Sequence, residues 1–498
     1  MKEKKNLPFP ARWLSVCTVL LLLLHAGVFA QSYGGFTLYS KMNNTKAYLL
    51  DSAGNVYHEW TFPSNRRTSY ATYMEPGGTL VRSVSGFNSS FFGAAALSVA
   101  VQKVDWDGNV VWHFPYSSPN YVMHHDICPL PNGNVLVTAY ERKTLAELTQ
   151  AGCTANINVM YVEKIMEIEP TDSVSGNIVW EWRVWDHIVQ DVDPTKDNYV
   201  TNTADYPHKF NINYNPKRDW MHINGLDYHP ELDQILFTAR YKGELYVIDK
   251  STTTAEAAGD TGGNSGRGGG LLYRWGNPEA YGATGPRYID FAHDAHWIPP
   301  GFPFAGHISY FNNKGAPGEL TCVDIILPPH NGYLYQHTPG APFAPATYTW
   351  RHIYSGSAAN FMGGAQPLEN GNFLVTLPSS GHIYEVDQQG NEVWSVTLGG
   401  SIPKARRYSK AWVEGTLDVH QPEPRPAIAV FPNPSNGHIT IEGVEENTNV
   451  QVTDLTGRTQ QYTLNANLLN LTHLPPGIYL ISFPHNPGQP GVRIVITR

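Results

Sequence analysis

The chain has 498 residues and a formal charge of -9, from 34 Lys and Arg against 43 Asp and Glu, which argues against a nucleic-acid binder relying on general phosphate attraction. Only 15% of the residues are charged, while Gly (45), Pro (37), Tyr (28) and Trp (13) are abundant, a composition of many short strands and tight turns rather than long helices. An all-β propeller absorbs such a length as one unit.

In chain order, Lys2, Lys4, Lys5 and Arg12 precede the apolar run Val19 to Leu24 and the small-residue end Val28-Phe29-Ala30. Residues 1–30 therefore read as a secretory signal peptide cleaved after Ala30. Leu14-Ser15-Val16-Cys17 imitates a lipoprotein site, but the apolar core follows the cysteine where it should precede it. No other run approaches the roughly 18 apolar residues of a membrane helix, so no membrane span is expected after signal removal. Cys128, Cys153 and Cys322 remain, enough for at most one internal disulfide. Cys128 and Cys153 flank one strand and loop and either pair or are simply buried. No CxxC or metal-spaced set exists, and neither a metal nor a cofactor is expected.

Four segments share a turn residue, Gly-Asn, and then β-branched and Trp residues: Asp51 to Trp60, Asp105 to Trp112, Ser175 to Trp182 and Asp387 to Trp394. Each reads as an outer hairpin, with the Trp anchoring the outer strand. Pro129 to Thr138, Pro367 to Thr376 and, more loosely, Met74 to Val81 read as inner hairpins. Pairing the two kinds gives four-strand units beginning near Ala71, His125, His222, His293 and Met362, with a partial or closing unit before Ala71. Six blades of a β-propeller over 31–418 is the simplest count. Lys143 to Val159, Val192 to Asn215 and Ala258 to Gly270 are loop insertions.

After Trp412 the texture changes to a proline-rich linker over 419–427, then to Phe431-Pro432-Asn433-Pro434-Ser435-Asn436-Gly437, Val450 to Arg458 and Leu474 to Leu480. The fold class expected is all-β, a six-bladed propeller followed by a small C-terminal β-sandwich over 428–498. This ordered set of motifs closely resembles the C-terminal sorting domain of the type IX secretion system in Bacteroidetes. The resemblance implies type IX machinery as a partner and a secreted or cell-surface location.

Three blade starts carry histidine: Met123-His124-His125-Asp126, Trp220-Met221-His222-Ile223-Asn224, and Phe291-Ala292-His293-Asp294-Ala295-His296. Each histidine stands at the mouth of an innermost strand. The strand after His222 and the one ending at Ala239-Arg240 form an antiparallel hairpin, so Arg240 belongs beside His222. Arg82, Glu141, Arg142 and Asn312-Asn313-Lys314 return to the same mouth and complete a polar rim. Asp126 and Asp294, directly after their histidines, point the other way and bind a neighbouring blade.

From Thr68 to Leu398 the pattern resembles the bacterial arylsulfate sulfotransferase family, most closely in His222-Ile223-Asn224 through Arg240. The resemblance implies transfer of a sulfuryl group from an aryl sulfate donor to a phenolic acceptor through a sulfohistidine, with no nucleotide donor. It implies His222, His293 and Arg240 as catalytic residues, and His125, Asn224, Asn313 and Lys314 are expected to contact the substrate. Blade six begins Phe361-Met362-Gly363, with no histidine at its mouth. A sulfo-accepting histidine belonging there is either absent or displaced to His352 or His382. The other expected function is a non-catalytic secreted propeller that binds a ligand or partner.

Overall fold

The computed structural model describes residues 31–416 except 87, 89, 90, 92–95 and 357, and residues 429–497 except 443–447, 455, 466 and 484–491. The signal peptide and linker readings fall outside the described residues. Residues 31–416 form six antiparallel four-stranded blades. Blade two holds Thr68–Met74, Leu80–Ser85, Leu97–Val104 and Val110–Pro115, and blade three holds Tyr121–Pro129, Val135–Thr144, Val159–Pro170 and Gly176–Arg183. Blade four holds Ile223–His229, Gln234–Ala239, Glu244–Asp249 and Tyr273–Trp275. Blade five holds Ala292–Trp297, Ile308–Ala316, Leu320–Ile326 and Trp350–Ile353; blade six holds Gly364–Pro367, Phe373–Leu377, His382–Val386 and Glu392–Thr397. Blade one joins both ends: Phe36–Ser40, Lys46–Leu50 and Val56–Thr61 receive Ala405–Tyr408 as their innermost strand, pairing Phe36 with Tyr408 and Tyr39 with Ala405. The partial unit before Ala71 is thus completed from the far end of the propeller.

Tryptophan closes the ring at its circumference. In every outermost strand one indole N–H donates to the connection between the third and fourth strands of the next blade. Trp60 reaches Asp105 O (2.9 Å), Trp112 reaches Ser175 O (2.9 Å), and Trp180 reaches Thr252 Oγ1 (3.1 Å). Trp275 reaches Pro345 O (2.8 Å), Trp350 reaches Gln388 O (2.9 Å), and Trp394 returns to Ser52 O (2.8 Å). The apolar body of each ring is packed while its polar edge fixes the angle to the next blade.

The axis is closed by charge. Lys404 and Arg406, on the closing strand, meet Asp126 of blade three and Asp294 of blade five, and all four are at most 4% exposed. Lys404 Nζ lies 2.7 Å from Asp126 and 3.1 Å from Asp294, while Arg406 binds Asp294 through both terminal nitrogens. Each carboxylate also accepts a backbone N–H from the following blade, Asp126 from Leu226 and Asp294 from Ala365, both at 3.0 Å. Asp227 does the same for Trp297 at 2.9 Å. Both acids therefore bind neighbouring blades, as read from the sequence.

Residues 429–497 form a three-stranded sheet (Ala429–Phe431, His438–Glu442, Leu468–Asn470) and a four-stranded sheet (Asn449–Asp454, Thr459–Thr463, Gly477–Ser482, Val492–Ile496). Its core, including Ile439, Ile441, Val450, Leu469, Ile481 and Ile494, draws only on its own residues. Cys128, Cys153 and Cys322 are all free thiols, so the Cys128–Cys153 pair does not form; Cys128 packs beside the core of blades three and four instead.

A chain stopped after Thr416 keeps the closing strand, whereas one stopped after Leu398 loses it together with Lys404 and Arg406. The first is expected to stay folded and the second to unfold, since two buried carboxylates would be left without cations, at about 3–5 kcal/mol each. Limited proteolysis and circular dichroism of the two truncations check this.

Candidate active site

The innermost strands bulge where they reach the channel mouth. Between Met123 and Ile127, between Ile223 and Gly225, and between His293 and His296 the register slips, leaving residues without a partner across the ladder. His125 (φ +49°), His222 (φ +59°), Asp294 (φ +55°) and Met362 (φ +56°) take left-handed backbone there. That conformation is unfavourable for residues with a Cβ and persists only when the surroundings impose it. Its effect is to send the consecutive pairs His125-Asp126 and His293-Asp294 to different places, the imidazole to the mouth and the carboxylate to the axis.

His222 and Arg240 are neighbours, as the hairpin requires: the Arg240 backbone N–H donates to His222 O at 3.1 Å. His222 Nδ1 lies 2.6 Å from Asp219 Oδ2, which places a proton on Nδ1 and leaves Nε2 as the working nitrogen. Tyr140 donates its hydroxyl to the other Asp219 oxygen at 3.1 Å. The backbone N–H groups of His222 and Ile223 donate to Glu163 Oε1 at 2.6 and 3.2 Å. Burial, reinforced by Asp219, pushes the Glu163 carboxyl well above the usual carboxylate range. The His222 ring is 4.5 Å from His125 and 4.9 Å from Tyr241, centroid to centroid.

His293 is held differently. Its Nδ1 faces Asn313 Oδ1 at 2.6 Å and Phe291 O at 3.0 Å, two acceptors that fix the proton on Nδ1. Nε2 accepts the Met362 N–H at 3.2 Å. Burial and then the Arg240 charge press its pKa down to about 3, so the ring is neutral at any working pH. His125 is pressed well below its ordinary value by burial and then by His222, and its Nδ1 lies 2.9 Å from that of His124.

Arg240 donates to Asn360 O at 2.9 Å and lies 4.8 Å from the Phe291 ring and 5.5 Å from that of Tyr241. Among the described residues it has no carboxylate within ion-pair distance. Lys217 Nζ sits 3.1 Å from the Tyr241 centroid, and burial lowers its pKa to about 8. The mouth therefore brings the Arg240 and Lys217 cations beside His125 and His293, whose protonation burial disfavours, a combination that can receive an anion.

His125, His222, His293 and Arg240 thus converge. The other expected contacts lie apart from the opening. Asn313 supports His293 from behind and donates to Ala359 O and Met362 O at 3.0 and 2.9 Å. Asn224 is fully buried and accepts from Thr238 at 2.7 Å, while Lys314 pairs with Glu319 at 2.9 Å. His352 and His382 lie on outer strands against Tyr384 and Thr397, so neither fills the blade-six position. Arg82 is not on the rim: it is buried within blade two, bonded to Gln102 at 2.5 Å. Asp219, Lys217, Glu163, Ala359 and Asn360 were not anticipated at the site, whereas Phe361 and Met362 were placed at the blade-six mouth. Only Asp219 had a signal in the sequence, three residues ahead of a mouth histidine.

His124, His125 and His293 are all depressed by burial, so below pH 6.5 the unfolded chain binds protons that the folded protein does not. Stability is expected to fall as pH drops from 6.5 toward 3. Burial also lowers His113, His187, His208, His229 and His352 on the same side, and these outnumber Glu163, Asp186 and His296, which are raised and act oppositely. Thermal denaturation at pH 7 and pH 5 reads the slope, and His293→Gln should flatten it by up to one proton, about 1.4 kcal/mol per pH unit.

Residues 26–259 match the arylsulfotransferase family model, and residues 429–497 match the secretion system C-terminal sorting domain. The resemblance to both families is thereby shown over those residues. The first match includes His125, His222, Asn224 and Arg240 and ends before His293. It points to arylsulfotransferase-like function, and the sorting domain indicates export to the cell surface or extracellular space. Among solved structures the chain is similar to a protein of unknown function from Bacteroides caccae, at 11% identity and a TM-score of 0.43, covering 75% of this chain and 98% of that one. It is also similar to a periplasmic gluconolactonase from Pseudomonas aeruginosa, at 13% identity and a TM-score of 0.36, covering 75% and 98%. A comparison with curated proteins finds no match.

Proposed function

We propose that the mouth moves a sulfuryl group from an aryl sulfate to a phenol through a sulfohistidine, without a nucleotide donor. The observation that carries this reading is Arg240, a cation with no carboxylate partner among the described residues, beside two imidazoles whose protons are each fixed on Nδ1. His293 is the acceptor of the group. Its Nε2 attacks sulfur, the S–N bond forms and the S–O bond to the aryl group breaks, with Arg240 holding the sulfuryl oxygens. The Met362 N–H, already aimed at Nε2, then donates to one of those oxygens.

His222 handles the proton. In its protonated form, with the charge shared with Asp219, it gives the Nε2 proton to the departing phenolate. Neutral His222 then takes the proton of the acceptor phenol as that oxygen attacks sulfur and the S–N bond breaks. Charge and protons balance over the cycle. A carboxylate behind one imidazole and an amide behind the other is what separates the two roles.

Incubation with donor alone should add one sulfuryl group to His293, and His293→Ala should abolish both labelling and turnover. His222→Ala should still be labelled by 4-nitrophenyl sulfate, whose phenolate leaves unaided, but should lose about 100-fold or more with donors of basic phenols. Arg240→Lys should cost about 100-fold, because a point charge replaces a planar fork. Label on His222 instead would exchange the two roles. Binding of aryl sulfates without label or transfer would favour the non-catalytic reading, to which the bond from Met362 to His293 Nε2 already lends support.

Export is expected to depend on residues 429–497, whose core is their own. Their deletion should leave a folded propeller inside the cell envelope, read by fractionation; undiminished surface delivery would show that another segment carries the signal.

A further inference from the structure

The segment Ala359–Met362 is tied within four residues to Arg240 and His293 at the mouth and to Asn313 behind His293. Ala359 O accepts from Asn313, Asn360 O accepts from Arg240, and Met362 bonds to both sides of the His293 arrangement, its N–H to His293 Nε2 and its O from Asn313. Thr321 Oγ1 accepts the Ala359 N–H at 2.8 Å and holds the near end. Ala359 and Met362 are buried, yet Phe361 between them is 44% exposed. A large apolar ring open to solvent on a backbone fixed on both sides has little backbone freedom left for binding to remove. The other aromatics at the mouth are committed: Tyr241 carries Lys217 and Arg240, and Phe291 carries Arg240.

We infer that Phe361 is the platform on which the aryl ring of the donor lies, and that it sets the preference for aryl over alkyl sulfates. This rests on the sulfuryl-transfer reading for the site it serves. Arg240, bonded to the residue just before Phe361, grips the oxyanion while the ring attached to it lies along Phe361. Blade six thus supplies an aromatic and a backbone N–H where blades three to five supply imidazoles.

The test uses sulfonates, whose C–S bond cannot be transferred, so that binding is read without turnover. In the full-length protein, calorimetry should show benzenesulfonate binding about 10-fold more weakly to Phe361→Ala, as expected for loss of an aromatic pair, with Phe361→Tyr restoring it. Methanesulfonate affinity should shift by less than about 2-fold, since its oxyanion grip is untouched. Equal weakening for both ligands would show a disturbed mouth rather than a lost platform, and unchanged benzenesulfonate affinity would place the ring elsewhere; either overturns the inference. Selective weakening in a protein that transfers no sulfuryl group would leave Phe361 standing and sink the transfer reading alone.

Discussion

The structure depends on one buried ion cluster. Lys404 and Arg406 arrive on the last strand of the propeller and meet Asp126 and Asp294 on the axis, where water cannot screen them. Two cations against two carboxylates leave no net charge in a region where an unpaired charge would be prohibitive. Attraction to Asp126 and Asp294 outweighs the burial that lowers the Lys404 pKa, so it stays charged and its pKa rises. The cluster forms only when the two ends of the propeller have met. The strand that closes the fold is therefore also the strand that neutralises its centre.

The same cluster sets the geometry of the mouth. Asp126 and Asp294 directly follow His125 and His293, and a one-residue offset in a regular strand would fix only opposite faces. The bulges do more, because each carboxylate is anchored twice, to a closing-strand cation and to a backbone N–H of the next blade. With the carboxylate so held, the left-handed residue at the bulge has little choice of direction and its neighbouring imidazole is presented to the channel. Strain at the mouth is offset by electrostatics on the axis. His296 shows how tightly this centre is wound: burial and Arg406 lower its pKa, yet Asp294 and Asp227 prevail and raise it.

What could be read from the sequence follows from which contacts are local. The Gly-Asn hairpins of blades one, two, three and six are visible because turn and tryptophan lie within ten residues, and each has its place in the observed ring. Trp275 and Trp350 have the same role, but insertions between the third and fourth strands of blades four and five separate turn from tryptophan, and the repeat is lost to the eye. Arg240 beside His222 was legible because a hairpin fixes its own register. Glu163 and Asn360 touch the site from other blades, through contacts that no spacing encodes. Arg82 misled because its strand position is right for the rim, while Phe62 and Gln102 draw it inward.

His222 and His293 stand at equivalent positions in the ring of blades yet meet unequal surroundings. Although Nε2 of His293 also accepts the Met362 N–H, both rings carry their proton on Nδ1, so the tautomer does not divide them. Their partners do. His222 has a carboxylate behind it, that of Asp219. The amide of Asn313 orients His293 without paying for a positive charge, and burial beside Arg240 then makes protonation costly. A nitrogen that resists protons yet keeps its lone pair is suited to a sulfur electrophile, and one that takes and returns protons is suited to the phenol. Under the proposed transfer, the division of roles is made by residues 219 and 313, which need never touch the substrate.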